Sequence, residues 1–125
     1  MNEKRELGKV TAVHLGFEDH GIMSIALSLD FGGSVQGFGP IALSHFDRAK
    51  NRPVGTATGI DLVIVLLRLF KVDTLDAIKG RVVYALRSGG CFIDGLEIPE
   101  FDGGGVFSLP EWRRQWGIGE EVPRG

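Results

Sequence analysis

Cysteine is almost missing from this chain. Its 125 residues hold one, Cys91, so no intramolecular disulfide can form, a usage that suits a reducing compartment. There is also no basic excess. Fourteen Lys and Arg stand against 16 Asp and Glu, a formal net charge of −2. A domain that grips nucleic acid through its phosphates carries a basic surplus or stripe, so nucleic acid is a poor fit as a partner. Long hydrophobic runs are missing too. The longest, "IVLLRLF" with its flank, is interrupted by Arg68 and is too short to span a bilayer. The N-terminal "MNEKREL" has no apolar stretch of the signal-peptide kind. The expectation is a soluble cytoplasmic protein that does not contact a membrane.

Motifs of the common chemistries are absent as well. No Ser-His-Asp order, Cys-x-x-Cys pair, His-Glu-x-x-His helix or internal repeat occurs. The glycine-rich "GGSVQGFG" lacks the Lys-Ser/Thr of a phosphate loop and has no helix after it to aim amides at an anion. Its spacing also misses the dinucleotide fingerprint. Cys91 has no base or cation placed beside it by the sequence, and reads as a small buried hydrophobe. No cofactor is implied.

Glycine is what the chain has in plenty, 19 residues, clustered at 32–39, 89–95 and 102–105 without a period. Such clusters mark turns and bulges. "KVTAVHLGF" reads as a strand with Val10, Ala12 and His14 on one face and Thr11, Val13 and Leu15 on the other. In "IMSIALSLDF" Met23, Ile25, Leu27, Leu29 and Phe31 alternate with more polar positions, the signature of a strand with one buried face. The two strands make a hairpin through residues 16–21, and "GGSVQGFGPIALS" supplies a third, bulged or edge strand around Pro40. Residues 45–56 read as an exposed loop.

Thr58 and Asp61 then open a helix, "IDLVIVLLRLFK", with Arg68 and Lys71 near its end. Its apolar residues cover almost the whole circumference, which asks for cover on more than one side and so for a homo-oligomeric partner. A short turn near Thr74 leads to "RVVYALRS" and "CFIDGLEI", a second antiparallel pair joined at 88–90. Ser108 and Glu111 stand at capping-box spacing before "LPEWRRQW", which sets Trp112 and Trp116 four apart on one helical face. That pair either docks the helix onto its own domain or forms an interface hot spot. The expectation is an α+β domain over residues 8–117. It has an antiparallel sheet of about five strands in β-β-β-α-β-β order, packed on one long apolar helix, with a short C-terminal helix. Residues 1–7 and 118–125 are expected to be flexible ends.

The densest chemistry lies in "LGFEDHGI", where Glu18, Asp19 and His20 are consecutive. Two carboxylates and an imidazole on a loop suit a divalent metal or general acid–base work, with His14 or Cys91 in support. Adjacent residues in an extended chain point to opposite sides, however, so the competing reading is a polar turn in which Asp19 bonds backbone amides.

The stretches "LGFEDHGIMSIALSLDFGGSVQGFG" and "GIDLVIVLLRLFKVDTLDAIKGRVV", with the tryptophan-bearing tail, resemble a family of small bacteriophage and prophage proteins. That family carries a Leu-Gly-x-Glu-Asp-His-Gly-Ile motif and a Gly-x-Gly-Phe-Gly strand. The resemblance spans roughly residues 8 to 105. It implies a mobile-element setting inside a host cell, and it points to Glu18, Asp19, His20, Gln36, Gly37 and Phe38 as one surface, the two motifs bordering a single cleft. Trp112 joins the candidates as an aromatic anchor. The first functional expectation is a non-enzymatic binding protein that engages a host protein or a small ligand, with countering a host defence as one role. The alternatives are a metal-dependent or acid–base enzyme built on Glu18-Asp19-His20, and a minor virion component.

Overall fold

The computed structural model describes residues 4–17 and 21–117. It overturns the expected architecture. The described chain is mostly sheet. Strands β1 (Lys4–Phe17), β2 (Met23–Asp30), β3 (Val35–Ala42), β6 (Val82–Arg87), β7 (Gly95–Glu97) and β8 (Val106–Ser108) form one antiparallel sheet in the order β3-β2-β1-β6-β7-β8. β4 (Ser44–Asp47) and β5 (Arg52–Gly55) form a separate two-stranded ribbon, inside the segment expected to be a loop. Helices α1 (Ala57–Phe70) and α2 (Leu109–Gln115) complete the fold.

The long apolar helix is also corrected. α1 has 14 residues and one fully buried stripe, Gly59, Leu62, Leu66 and Phe70, while Ile60 is 60% and Ile64 43% exposed. The stripe recurs every three to four residues, as it does in any helix lying on a sheet. The sheet is strongly curled around it: Phe38 on one edge strand meets Phe107 on the other, edge to face with centroids 6.2 Å apart. The core therefore sits in the trough of the curled sheet, beneath α1.

Two bulges give the sheet its curl. On β1 one extra residue, Thr11, lies between the pairs Val10–Leu29 and Ala12–Ser28. It resets the side-chain phase, so Val10 faces inward before it and Val13, Leu15 and Phe17, the partners of Leu27, Ile25 and Met23, face inward after it. The expected face of Val10, Ala12 and His14 is split by that residue. On β3 the extra residue falls at Gly39–Pro40, a cis peptide opposite Ala26. Only glycine fits there: its φ is +96°, and a Cβ would stand 2.8 Å from the Ile25 carbonyl oxygen. β1 also begins earlier than the expected boundary at residue 8, because Lys4 to Leu7 pair with Arg87 to Tyr84.

α1 is capped by Thr56, two residues before the expected Thr58; the Thr56 hydroxyl accepts from Gly59 N at 2.9 Å. Its C-terminus closes at Lys71 in the left-handed region, and Arg81 donates to the Phe70 carbonyl at 3.0 Å. Asp61 takes no part in the first turn. Its Oδ2 accepts from the indoles of both Trp112 and Trp116, each at 3.0 Å, and so ties α2 to α1. Trp112 is 7% exposed, which makes this the docking alternative. Replacing Asp61 by alanine strands the buried Trp112 donor and frees the exposed Trp116 indole to water, and is expected to cost about 1.5–3 kcal/mol, the range for hydrogen bonds to a charged group. Asp61→Asn, which keeps an acceptor, is expected to cost less. Urea unfolding followed by tryptophan emission and by circular dichroism measures both. A loss below about 0.5 kcal/mol for alanine would mean that the indoles do not depend on Asp61.

Candidate functional site

Glu18, Asp19 and His20 lie outside the described residues. Their frame is described: Phe17 pairs with Met23, and Gly21 follows with φ +73°. His14 pairs with Ala26 on the face opposite Leu15 and Phe17.

The described residues do not place Gln36 to Phe38 beside Met23 to Ile25, the arrangement expected to join the two motifs. Gln36 pairs with Leu29 and Phe38 with Leu27, whereas Met23 and Ser24 pair with Phe17 and Ala42. Met23 and Leu29 are six steps apart along β2, about 20 Å at strand rise, so Gln36 stands at the far end of the strand from Met23.

Gln36 is instead an internal tie. Its Nε2 donates to the Cys91 carbonyl at 2.7 Å and its Oε1 accepts from Arg87. Arg87 also pairs with Glu6 at 3.0 Å, donates to the Cys91 carbonyl at 3.3 Å, and lies 5.5 Å from the Phe31 ring centre. These bonds pin the loop at 88–94 across the end of the trough. Cys91 is exposed in that loop, not buried as expected, at the end of the sheet away from Phe17. Phe38, at 1% exposure, and Trp112 belong to the core and offer no surface. Among the described residues no group of three His, Cys, Asp or Glu is placed to hold a metal. On the open face of α2, the hydrogen bond from Arg114 and then its charge hold the Glu111 carboxyl below its usual range. An exposed pair of this kind contributes little to stability. No helix among the described residues is long and apolar enough to cross a membrane.

The surface that does stand out is apolar and lies at the other end, beside Phe17. A cavity of about 280 Å³ opens between the end of the sheet and the start of α1, lined by Leu15, Met23, Leu43, Thr56, Ile60 and Val63. It runs on past Met23, Leu43 and Gly55 into a smaller hollow bounded by Phe17 and Pro53. Simple dimensions explain the gap. β1 and α1 each have 14 residues, but a strand rises about 3.3 Å per residue and a helix 1.5 Å, so α1 covers less than half of β1. Inward-facing Leu15 and Phe17 are left 51% and 60% exposed. Ile60 borders the cavity, and Ile64, one turn further along the same helix face, is exposed beyond it. Phe46, 49% exposed, shares a ribbon face with its partner Pro53.

None of these five was singled out from the sequence as surface. One signal was present: a helix with more apolar positions than one sheet face can cover. Comparison with models of known families, with curated proteins and with solved structures found no match.

Proposed function

We propose that the chain is a small binding protein of the phage or prophage type, acting inside the host cell on a host protein through the apolar end described above. One observation carries this reading: Leu15 and Ile60 line the cavity and Phe17 the hollow that continues it, while Ile64 follows Ile60 by one helical turn and Phe46 stands opposite Pro53, and all five are 43% exposed or more. Scattered apolar side chains on a surface need no explanation, but a contiguous set around a concavity marks a contact site. Size favours protein over small ligand. The cavity of about 280 Å³ is open and falls at the floor of the roughly 300–1,000 Å³ usual for small-molecule sites. It suits an inserted side chain or two from a partner surface that also covers the rim. The phage setting rests on the resemblance of residues 8–105.

The test is affinity capture from a bacterial extract with the full chain and its Ile60→Asp variant, the retained protein being identified and its Kd measured. The charge at the groove is expected to weaken the complex by at least about 2 kcal/mol, roughly thirtyfold, with circular dichroism unchanged. Equal affinity for both forms would remove the groove from the contact.

A further inference from the structure

We propose that the same surface is self-complementary, and that a second copy of this chain closes over it when no other partner is bound. This rests on reading the apolar end as a protein-contact site, and it names the partner that site meets first. Three features favour a second copy. A twofold interface uses one patch on both subunits, so the patch must contain both a projection and the recess that receives it. Here Phe17 projects, at 60% exposure, beside a groove lined by Leu15, Met23, Leu43 and Ile60. A twofold axis between two such ends seats each Phe17 against the other copy's groove and lays the Ile60–Ile64 stripes of the two α1 helices against each other.

The second feature is area. The five exposed side chains, each about half free, offer on the order of 100 Å² apiece, set against the roughly 150–250 Å² that an aromatic side chain buries in full. Together they present about 500 Å² of apolar surface. A stable interface takes about 800 Å² per partner, of which about 60–65% is apolar in homodimers, again roughly 500 Å². The patch is as large as a dimer requires. The third feature is charge. At a formal net −2, two copies approach with little repulsion, and salt screens what remains. Among the described residues, Asp61, next to Ile60 on α1, already accepts from two indoles.

Sedimentation velocity of the full chain, from about 1 to 500 µM, tests this. The mass is expected to rise from 13.6 kDa toward twice that value with a micromolar midpoint. Phe17→Ser and Ile60→Asp are each expected to weaken the dimer at least tenfold while keeping the circular dichroism of the parent. Phe92→Ser, an exposed aromatic in the 88–94 loop at the other end, is expected to leave it intact. A 13.6 kDa species throughout would overturn the proposal, as would a dimer indifferent to Phe17→Ser and Ile60→Asp, or masses growing past the dimer. The two readings fail separately. A monomer whose captured partner is still lost in Ile60→Asp removes the dimer and keeps the binding function. A dimer that this variant breaks, with capture unchanged, does the reverse.

Discussion

Alanine at Phe70 is expected to lower the unfolding free energy by about 3–5 kcal/mol, the range for emptying a buried aromatic site. Phe70 is the last residue of α1 and has no exposed surface. Its ring packs into the core cluster with Leu66, Ile78 and Val83, where the end of the helix meets the sheet. The cavity cannot collapse easily, because the backbone there is held from two sides. Arg81 donates to the Phe70 carbonyl at 3.0 Å, and Val72 N bonds to the Leu67 carbonyl at 3.0 Å. The Arg81 guanidinium also lies 5.8 Å from the Phe70 ring centre and loses that face in the variant. Domains of this size are stable by about 5–15 kcal/mol, so the loss is a large share of the whole. Urea unfolding by circular dichroism checks it, with Leu62→Ala as a second truncation in the same stripe, expected at about 2–5 kcal/mol. A Phe70→Ala loss under about 1.5 kcal/mol would mean the helix end is not packed as described.

What was legible in the sequence was whatever had a long period. The inward face of β2, with Ile25, Leu27 and Leu29 at 1% exposure or less, could be read because eight residues alternate without a break. The antiparallel pairing of β6 with β7 could be read too, although β7 keeps only Gly95–Glu97 of "CFIDGLEI", while the ribbon strands, of four residues each, are too short for a period-two pattern to show. The ribbon is further hidden by its polar sequence. Single inserted residues did the rest: Thr11 reverses the faces of β1, which no composition signal announces. The burial of Phe38 and Trp112 escapes the sequence for a different reason. Phe38 stands among glycines and Trp112 among arginines, contexts that look exposed on paper. The curl of the sheet sends Phe38 inward against Phe107, and Asp61 draws Trp112 in against α1. Gln36, expected on a binding surface, has its amide engaged in holding the 88–94 loop. The surplus of apolar positions on α1 announced a surface in need of cover, but its place follows only from the lengths of β1 and α1 in three dimensions.

Those lengths matter because α1 is fixed where it starts, and Gly59 fixes it. Gly59→Ala is expected to destabilise the protein by a net of about 2–4 kcal/mol, although alanine is the better helix former by about 1 kcal/mol. A Cβ at this position would lie 2.4 Å from the Leu43 carbonyl oxygen and 2.6 Å from the Leu43 Cα. All the nearest atoms are backbone, so no rotamer change relieves the clash, and the start of α1 must move away from the chain between β3 and β4. That movement pulls on a connected set of bonds. Thr56 N and Oγ1 both donate to the Leu43 carbonyl, at 3.1 and 3.2 Å, and Thr56 Oγ1 accepts the Gly59 amide that caps the helix. Because Leu43, Thr56 and Gly59 also line the apolar cavity, the variant is expected to lose groove contacts along with stability. Gly55→Ala supplies the control: nothing lies within 4 Å of its added methyl, so its effect is expected to stay within about 0.5 kcal/mol. The sign is the decisive readout. If Gly59→Ala melts higher than the parent, helix propensity has prevailed, and α1 does not lie against Leu43.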